Sequence, residues 1–255
     1  MDIAVVMPAH NEAEGIGEFL AEIEGSLAGR FEHLYIVVDD CSSDETADRA
    51  RAAAAAGGFS VDVIPNPRNL GHGPSALRAY RAGLTTAASV VVHVDGDGQF
   101  RGEDVLAVVQ ALDGNDVVHG IRRGRTDAWY RRVLTGTLGA VIRNLAGGQV
   151  FDANTPLRAY RREALRSVCD EVPDDALVPH VHFSVLERRL GLRVVGVDVD
   201  SLPRRGSTST GTMWGRARFQ HLLPPARLVS FTSRAARELL TLNQKGRRAA
   251  VETLP

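Results

Sequence analysis

The sequence predicts an α/β fold: a mostly parallel sheet with helices on both faces, followed by a C-terminal helical extension. Two observations predict it. Apolar runs of strand length alternate with helical stretches through about residue 120. The strand runs are continuous in Val and Ile, with no polar alternation. That is how strands read when both sheet faces are covered.

Each element has its own signal. Residues 2–8 (Asp-Ile-Ala-Val-Val-Met-Pro) make a first strand closed by Pro8. A helix follows from about Glu12, with Asn11 as N-cap and Ile16, Phe19, Leu20, Ile23 and Leu27 at helical spacing. Residues 33–39 are a second strand. Ser42 and Glu45 then read as the N-cap and N3 of a capping box, opening an Ala-rich helix that stops at Gly57-Gly58. Residues 60–64 are a third strand, 71–84 a helix with a glycine-rich entry, 90–95 a fourth strand, 105–112 a helix and 116–120 a fifth strand. After residue 125 the rhythm changes. A long helix is expected over 129–145, a strand-like stretch over 152–160, a helix over 177–190 and a strand over 192–199. Residues 206–215 are rich in Gly, Ser and Thr and read as a loop. Residues 216–242 read as helical with a break at Pro224-Pro225. There is no internal repeat. The expectation is one domain over 1–215, with a first half to 122 and a second half over 123–215, and a basic tail over 216–255.

Composition removes whole classes. The chain has 255 residues, 44% of them hydrophobic and 24% charged, with a net charge of −1. This excludes low-complexity disorder, collagen-like repeats and disulfide scaffolds. Cys41 and Cys169 lie far apart with no metal-ligand spacing, and no apolar window reaches the length of about 18 residues that a membrane helix needs. The chain opens without a basic leader. A cytoplasmic, reducing location is expected, or a peripheral one at the inner face of a membrane. Between Arg204 and Arg248 the only acidic residue is Glu238, so this stretch is strongly basic. Its partners would be phosphates or an anionic membrane surface. No nucleic-acid motif accompanies it, and no nucleic-acid partner is expected.

Four short motifs carry chemistry. His93-Val-Asp95-Gly-Asp97-Gly-Gln99 places two carboxylates just past an apolar strand. A hard divalent cation takes oxygen ligands, one or two carboxylates plus substrate phosphates; a polar Asp-Gly turn is the plain alternative. Pro8-Ala9-His10-Asn11-Glu12 follows the first strand, and Asp39-Asp40 ends the second. Both suit contacts to a base or ribose at the carboxyl edge of a sheet, where such folds bind ligands, and both also suit an ordinary strand end. Asn69-Leu-Gly71-His-Gly73-Pro-Ser75 opens a helix with small residues, which lets backbone N–H groups approach a phosphate or sugar. There is no GxGxxG and no GxxxxGK[ST], so neither a dinucleotide fingerprint nor a P-loop is present.

Taken in order, these motifs resemble glycosyltransferase family 2, the inverting enzymes of GT-A fold. The likeness continues through Val-Val-His-Gly-Ile-Arg-Arg-Gly (117–124) and residues 152–165, covers roughly residues 1–210, and is nearest in kind to the polyprenyl-phosphate sugar synthases. The resemblance implies a nucleotide-sugar half over 1–122 and an acceptor half over 123–215. It implies that Pro8, Ala9, Glu12, Asn69 and Gly71 line the nucleotide-sugar pocket and that Asp39 or Asp40 holds the base or ribose. Asp95, Asp97 and Gln99 would hold Mg²⁺ or Mn²⁺, and Arg122 would contact the donor phosphates. Arg131, Thr135, Arg158 and Arg205 would meet the acceptor, with Arg204 or Arg205 closing over the site. Asp97, Asp152 and Arg122 are the implied catalytic residues. Two departures stand out: the C-terminal membrane helices often found in that group are missing, and the usual Asp-x-x-x-Gly-Phe-Arg reads Asp152-Ala-Asn-Thr-Pro-Leu-Arg158.

The implied reaction moves a sugar from a UDP- or GDP-sugar to a lipid phosphate or a small-molecule acceptor. A phosphate monoester, with its second pKa near about 6, arrives anionic and needs no base. A hydroxyl acceptor, on a soluble saccharide or natural-product intermediate, needs one. Asp152 is the first candidate, then Asp174, Asp175 and His180. The pair His180 and His182 falls in a helix pattern, where i, i+2 spacing separates the side chains. For a lipid acceptor, Arg216, Arg218, Arg227, Arg234 and Arg237 would dock on the membrane, with Leu222, Leu223, Leu228, Val229 and Phe231 entering the interface; packing on the domain is the alternative. A catalytically silent nucleotide-sugar binding module is the reading from another class.

Overall fold

A computed structural model describes residues 2–123, 153–206, 234, 235, 237 and 238. In chain order these residues form β1 (Asp2–Ala9), α1 (Ile16–Leu27), β2 (Glu32–Asp39), α2 (Thr46–Gly57), β3 (Val61–Pro65), α3 (His72–Thr85), β4 (Val90–His93), α4 (Gly102–Gln110), β5 (Val117–Arg123), β6 (Arg158–Arg161), α5 (Arg162–Cys169), α6 (Pro179–Arg189) and β7 (Val194–Asp200). The strands make one sheet in the order β3-β2-β1-β4-β6-β5-β7. Only β6 runs antiparallel to its neighbours, β4 and β5; the other pairings are parallel. Two antiparallel steps restore direction, so β5 ends on the same edge as β1, β2 and β4.

Side chains alternate across the sheet, and each set has its own helical cover. Ile3, Val5, Met7, Tyr35, Val37, Val90 and Val92 pack with α1 and α4. Ala4, Val6, Ile36, Val38 and Val91 face the other way, onto α3, α5 and α6. This explains the unbroken Val/Ile runs: both faces of β1 and β4 are dry. On α1, Ile16, Phe19, Leu20, Ile23 and Leu27 are fully buried. Each such side chain contributes about 1.5–3 kcal/mol by burial, and Leu20→Ala would cost about 2–5 kcal/mol. Gly58 closes α2 at φ 70°, a left-handed cap that glycine adopts without strain.

Several local expectations are corrected. The first helix starts at Ile16, not near Glu12, and Asn11 sits at φ 55° in the loop before it rather than capping it. The second starts at Thr46, so Ser42 and Glu45 are not a capping box. Ser42 is instead drawn to a nearby carboxylate, donating its N–H at 3.1 Å and its hydroxyl to Asp39. Short polar side chains commonly prefer such local partners. The helix expected at 105–112 begins three residues sooner, at Gly102. Of the stretch 152–160 only the last three residues are strand, the start of β6, and a helix unforeseen from the sequence, α5, follows at once. The expected helix over 129–145 and the loop past Gly206 lie outside the described residues, as does the expected helix over 216–242 apart from residues 234, 235, 237 and 238, which are helical. Among the described residues no helix is long and apolar enough to cross a membrane.

Candidate functional site

The carboxyl ends of β1, β2, β4 and β5 converge, as parallel packing requires. Glycine allows the closest approach. Gly96 donates its N–H to the Pro8 carbonyl at 3.1 Å, and a Cβ on it would lie 3.0 Å from that oxygen and 3.1 Å from the Ala9 Cβ. Pro8 and Ala9 are thus brought against the Asp95–Asp97 turn, and Asp40 N–H reaches the Ala9 carbonyl at 2.8 Å.

Asp39 and Asp40 do different things. The buried Asp40 carboxylate accepts from Leu70 N–H (2.7 Å), Gly71 N–H (2.9 Å) and Asn66 Nδ2 (2.7 Å). It anchors the loop that opens α3. Among the described residues the Asp39 carboxylate meets Ser42 alone, through one oxygen. Both aspartates, expected at the base or ribose, stand at the carboxyl end of β2, with Asp40 engaged by the α3 loop and Asp39 by Ser42. Gly71 sits at φ 88°, and Asn69 bridges its N–H (3.1 Å) and the His10 ring (3.3–3.4 Å). The 10–13 and 42–46 loops interlock: Asn11 N–H to Ser42 Oγ at 3.0 Å, Ser43 N–H to Asn11 Oδ1 at 2.8 Å, Glu12 N–H to Thr46 Oγ1 at 2.8 Å. Sequence reasoning missed this interlock. Asn in a left-handed position between strand and helix was its available signal.

Three carboxyl groups face one another. Burial, with the nearby Asp95 charge, pushes Asp97 up to about 6. Burial is also the main reason Glu12 is pushed up to about 8, Asp97 and Asp95 adding to it, against the opposing pull of Arg204. Arg204 grips Glu12 with two guanidinium nitrogens, Nε at 3.2 Å and Nη2. Among the described residues the Asp95 Oδ1 atom is buried without a hydrogen bond, and the His72 ring Nε2 lies 3.7 Å from it. Crowded, partly orphaned carboxylates of this kind fit a hard divalent cation. Among the described residues no three His, Cys, Asp or Glu side chains form a complete cage. An Asp95–Asp97 site would therefore take its remaining ligands from phosphates and water, as Mg²⁺ commonly does.

Other expected residues land elsewhere. Gln99 is a tie: its Nε2 donates to the Leu202 carbonyl at 3.3 Å, and Leu202 N–H returns to the Gln99 carbonyl at 3.0 Å. These bonds use its amide nitrogen and its backbone, not the side-chain oxygen that the metal-ligand expectation invokes. Arg205 turns away from the cleft. It pairs with Glu22 and with Glu18 (3.3 Å) and lies 5.3 Å over the Phe19 ring, holding the 97–99 turn against α1. Arg205, expected to meet the acceptor, is thus engaged by Glu18, Glu22 and Phe19, and Arg204 is the arginine facing Glu12. Arg158, expected to meet the acceptor, has no exposed surface and lies against Glu187. Arg122 ends β5 with Nη2 donating to the Asn154 carbonyl at 3.2 Å. Of the alternative bases, Asp174 is exposed and paired with Arg81, nine residues and about 14 Å along α3 from His72. His180 is buried in an aromatic cluster, 4.8 Å from His93 and 5.8 Å from Tyr80, and His182 pairs with Glu238 at 2.7 Å. The two histidines have separate partners, as their spacing implies. Arg131, Thr135 and Asp152 lie outside the described residues, as do the tail residues named above other than Arg234 and Arg237.

The model of the family described as glycosyl transferase family 2 matches residues 4–169. An undecaprenyl-phosphate 4-deoxy-4-formamido-L-arabinose transferase of Edwardsiella ictaluri is 28% identical over 194 residues, 75% of this chain and 59% of that protein. The chain therefore spans 59% of the length of that relative. An undecaprenyl-phosphate mannosyltransferase of Micrococcus luteus is 28% identical over 210 residues, 80% of this chain and 85% of that one. Among solved structures, glucosyl-3-phosphoglycerate synthase from Mycobacterium tuberculosis, in complex with Mn²⁺, UDP-glucose and glycerol 3-phosphate, matches with a TM-score of 0.66 at 24% identity, covering 95% of this chain and 80% of that one. At that identity the likeness speaks for the fold.

Proposed function

The chain belongs to glycosyl transferase family 2, and from that premise we propose that it transfers a sugar, with inversion, from a nucleotide diphosphate-sugar to a polyprenyl phosphate. The observation that carries the proposal is the Asp95–Asp97 pair at the carboxyl end of β4, set against Glu12 and Arg204. The names of the relatives, both undecaprenyl-phosphate sugar transferases, support the acceptor.

Each residue then has a task. Asp39, at the end of β2, accepts hydrogen bonds from the base or ribose. The α3 entry, fixed by Asp40 through Leu70 and Gly71, presents its small residues to the sugar diphosphate. Asp95 and Asp97 would hold Mg²⁺ or Mn²⁺. When bound, the cation neutralises charge that gathers on the departing diphosphate. Arg204, oriented by Glu12, supplies a fixed positive group beside the same turn. Arg122 offers a second guanidinium from the end of β5. The acceptor phosphate attacks the anomeric carbon from the face opposite the leaving group and requires no base.

The test is transfer from UDP- and GDP-sugars to a short polyprenyl phosphate with Mg²⁺ or Mn²⁺, with Asp97→Ala as control. Lipid-linked product that disappears in Asp97→Ala is the expected result and names the donor. Donor turnover only with hydroxyl acceptors would replace the lipid-phosphate reading. Tight donor binding with no turnover for any acceptor would mark a silent binding module.

A further inference from the structure

Five consecutive backbone carbonyls, Ala153 to Leu157, are each held by a named donor. Arg158 Nη2 reaches Ala153 (2.8 Å), Arg122 Nη2 reaches Asn154 (3.2 Å), Arg158 Nε reaches Thr155 (3.0 Å), His93 Nδ1 reaches Pro156 (2.6 Å) and Gly120 N–H reaches Leu157 (2.9 Å). The Thr155 hydroxyl adds a bond to the Gly120 carbonyl at 2.6 Å. A carbonyl only accepts, so His93 carries its proton on Nδ1. The strip is thus tied to β4 two residues before Asp95 and to β5 on both sides of its last turn, and it follows Asp152 directly in the chain.

Arg158 sits beneath the strip with no exposed surface. Its remaining nitrogen contacts are Ser184 Oγ (3.1 Å), Tyr160 Oη (3.3 Å) and Glu187 Oε1 (3.3 Å). Glu187, equally buried, also accepts from Tyr160 (2.5 Å) and pairs with His119 Nε2 (3.0 Å). Apolar residues of similar volume often replace a buried ion pair at no loss of stability. Stability alone therefore gives no reason for a guanidinium here. Its rigid fork of donors does give one, because a single group can grip two carbonyls of one strip.

We propose that Arg158 is a positioning residue. Backed by Glu187, it fixes residues 153–157 as a rigid ledge, and the ledge in turn holds Arg122 through the Asn154 carbonyl. The geometry of a core ion pair thereby sets the geometry of the reaction cleft. This rests on the transferase reading for its activity readout, but not for its structural one.

The test is Arg158→Lys in the full chain, beside Val168→Ala, a buried core truncation on α5 at a side chain that makes none of the strip's hydrogen bonds. Lysine keeps the charge opposite Glu187, yet one ammonium cannot span both carbonyls. The expected result is a fall in kcat of about ten- to a hundredfold with nucleotide Kd changed less than about twofold. Val168→Ala, at a similar loss of melting temperature, keeps its kcat. Faster amide exchange in the peptide 153–161 of Arg158→Lys, and not of Val168→Ala, is the readout that needs no turnover. If Arg158→Lys does not fold, Glu187→Gln, which keeps the guanidinium but loosens its hold, is expected to show the same split. A folded variant with unchanged kcat, a fall that Val168→Ala reproduces, or equal exchange in both variants would overturn the proposal. If no protein shows transfer, the exchange result alone decides it.

Discussion

Asp40→Ala and Asp39→Ala are adjacent changes with opposite expected effects. The Asp40 carboxylate takes three hydrogen bonds, two from backbone N–H groups and one from the buried Asn66 amide, and is 3% exposed. Truncation removes three hydrogen bonds, but only Leu70 N–H is left without an acceptor: Gly71 N–H keeps Asn69 Oδ1 at 3.1 Å and the Asn66 amide keeps Ser75 Oγ at 2.9 Å. A buried, unsatisfied polar group costs about 1–3 kcal/mol. With the two weakened donors added, the total is about 2–4 kcal/mol. For a domain of this size, about 2–4 °C per kcal/mol gives a melting temperature lower by about 4–16 °C. Asp39 has only Ser42 as partner, so Asp39→Ala is expected to melt within a few degrees of wild type and to lose nucleotide affinity. Thermal denaturation paired with nucleotide titration reads both. Equal melting of Asp40→Ala and wild type, or full nucleotide affinity in Asp39→Ala, would refute this division of labour.

Other outcomes follow from the same geometry. Burial pushes His93 down to about 4 and His180 well below the ordinary histidine range. The unfolded chain therefore binds these protons first, and stability that is complete above about pH 6.5 declines as pH falls toward 4. His93 alone would cost about 2 kcal/mol at pH 5; urea midpoints equal at pH 7.5 and pH 5 would contradict this. Burial opposes the Glu187 charge, but His119, Arg158 and Tyr160 outweigh it and hold the carboxyl at about 2, so its contribution persists above about pH 4.5 and is lost as pH drops through 2. Gly73→Ala would drive a Cβ to 2.3 Å from the Leu177 carbonyl oxygen; a loss of about 1–3 kcal/mol is expected, and a wild-type melting curve would count against the packing. Arg204→Gln should weaken donor binding, whereas Arg205→Gln should act mainly through the looser 97–99 turn; equal effects on donor Kd would show that the two arginines are not distinguished as placed.

The fold was largely legible because its strongest signal is redundant. The central strands β1 and β4 are continuous apolar runs, and the helix faces of α1 and α3 repeat at 3.6 residues. What was not legible is local polar competition. Ser42-Ser43-Asp44-Glu45 matches a capping box in letters, yet Asp39 lies close enough in space to claim Ser42. No sequence window contains that pairing partner's geometry. The short α5 carries Arg162, Glu163 and Arg166, so its apolar stripe is too brief to stand out. At the site, the motif residues Asp95, Asp97 and Glu12 do converge. The arginines were harder, since chain position says nothing about direction: Arg204 and Arg205 are neighbours, and one faces Glu12 while the other faces Glu22. The resemblance places Arg158 at the acceptor, and the Glu187 contact across 29 positions, which no local window contains, sets its side chain in the interior.

The central claim is that Asp95 and Asp97 hold the donor diphosphate through a divalent cation. Calorimetric titration of UDP and GDP, with and without Mn²⁺, into wild type, Asp95→Asn and Asp97→Asn tests it most directly. The account expects nucleotide affinity in wild type to rise at least about tenfold with Mn²⁺ and that gain to vanish in both variants, with metal-free affinity little changed. Affinity that ignores Mn²⁺ in wild type, or a metal-dependent gain that survives both substitutions, would contradict it.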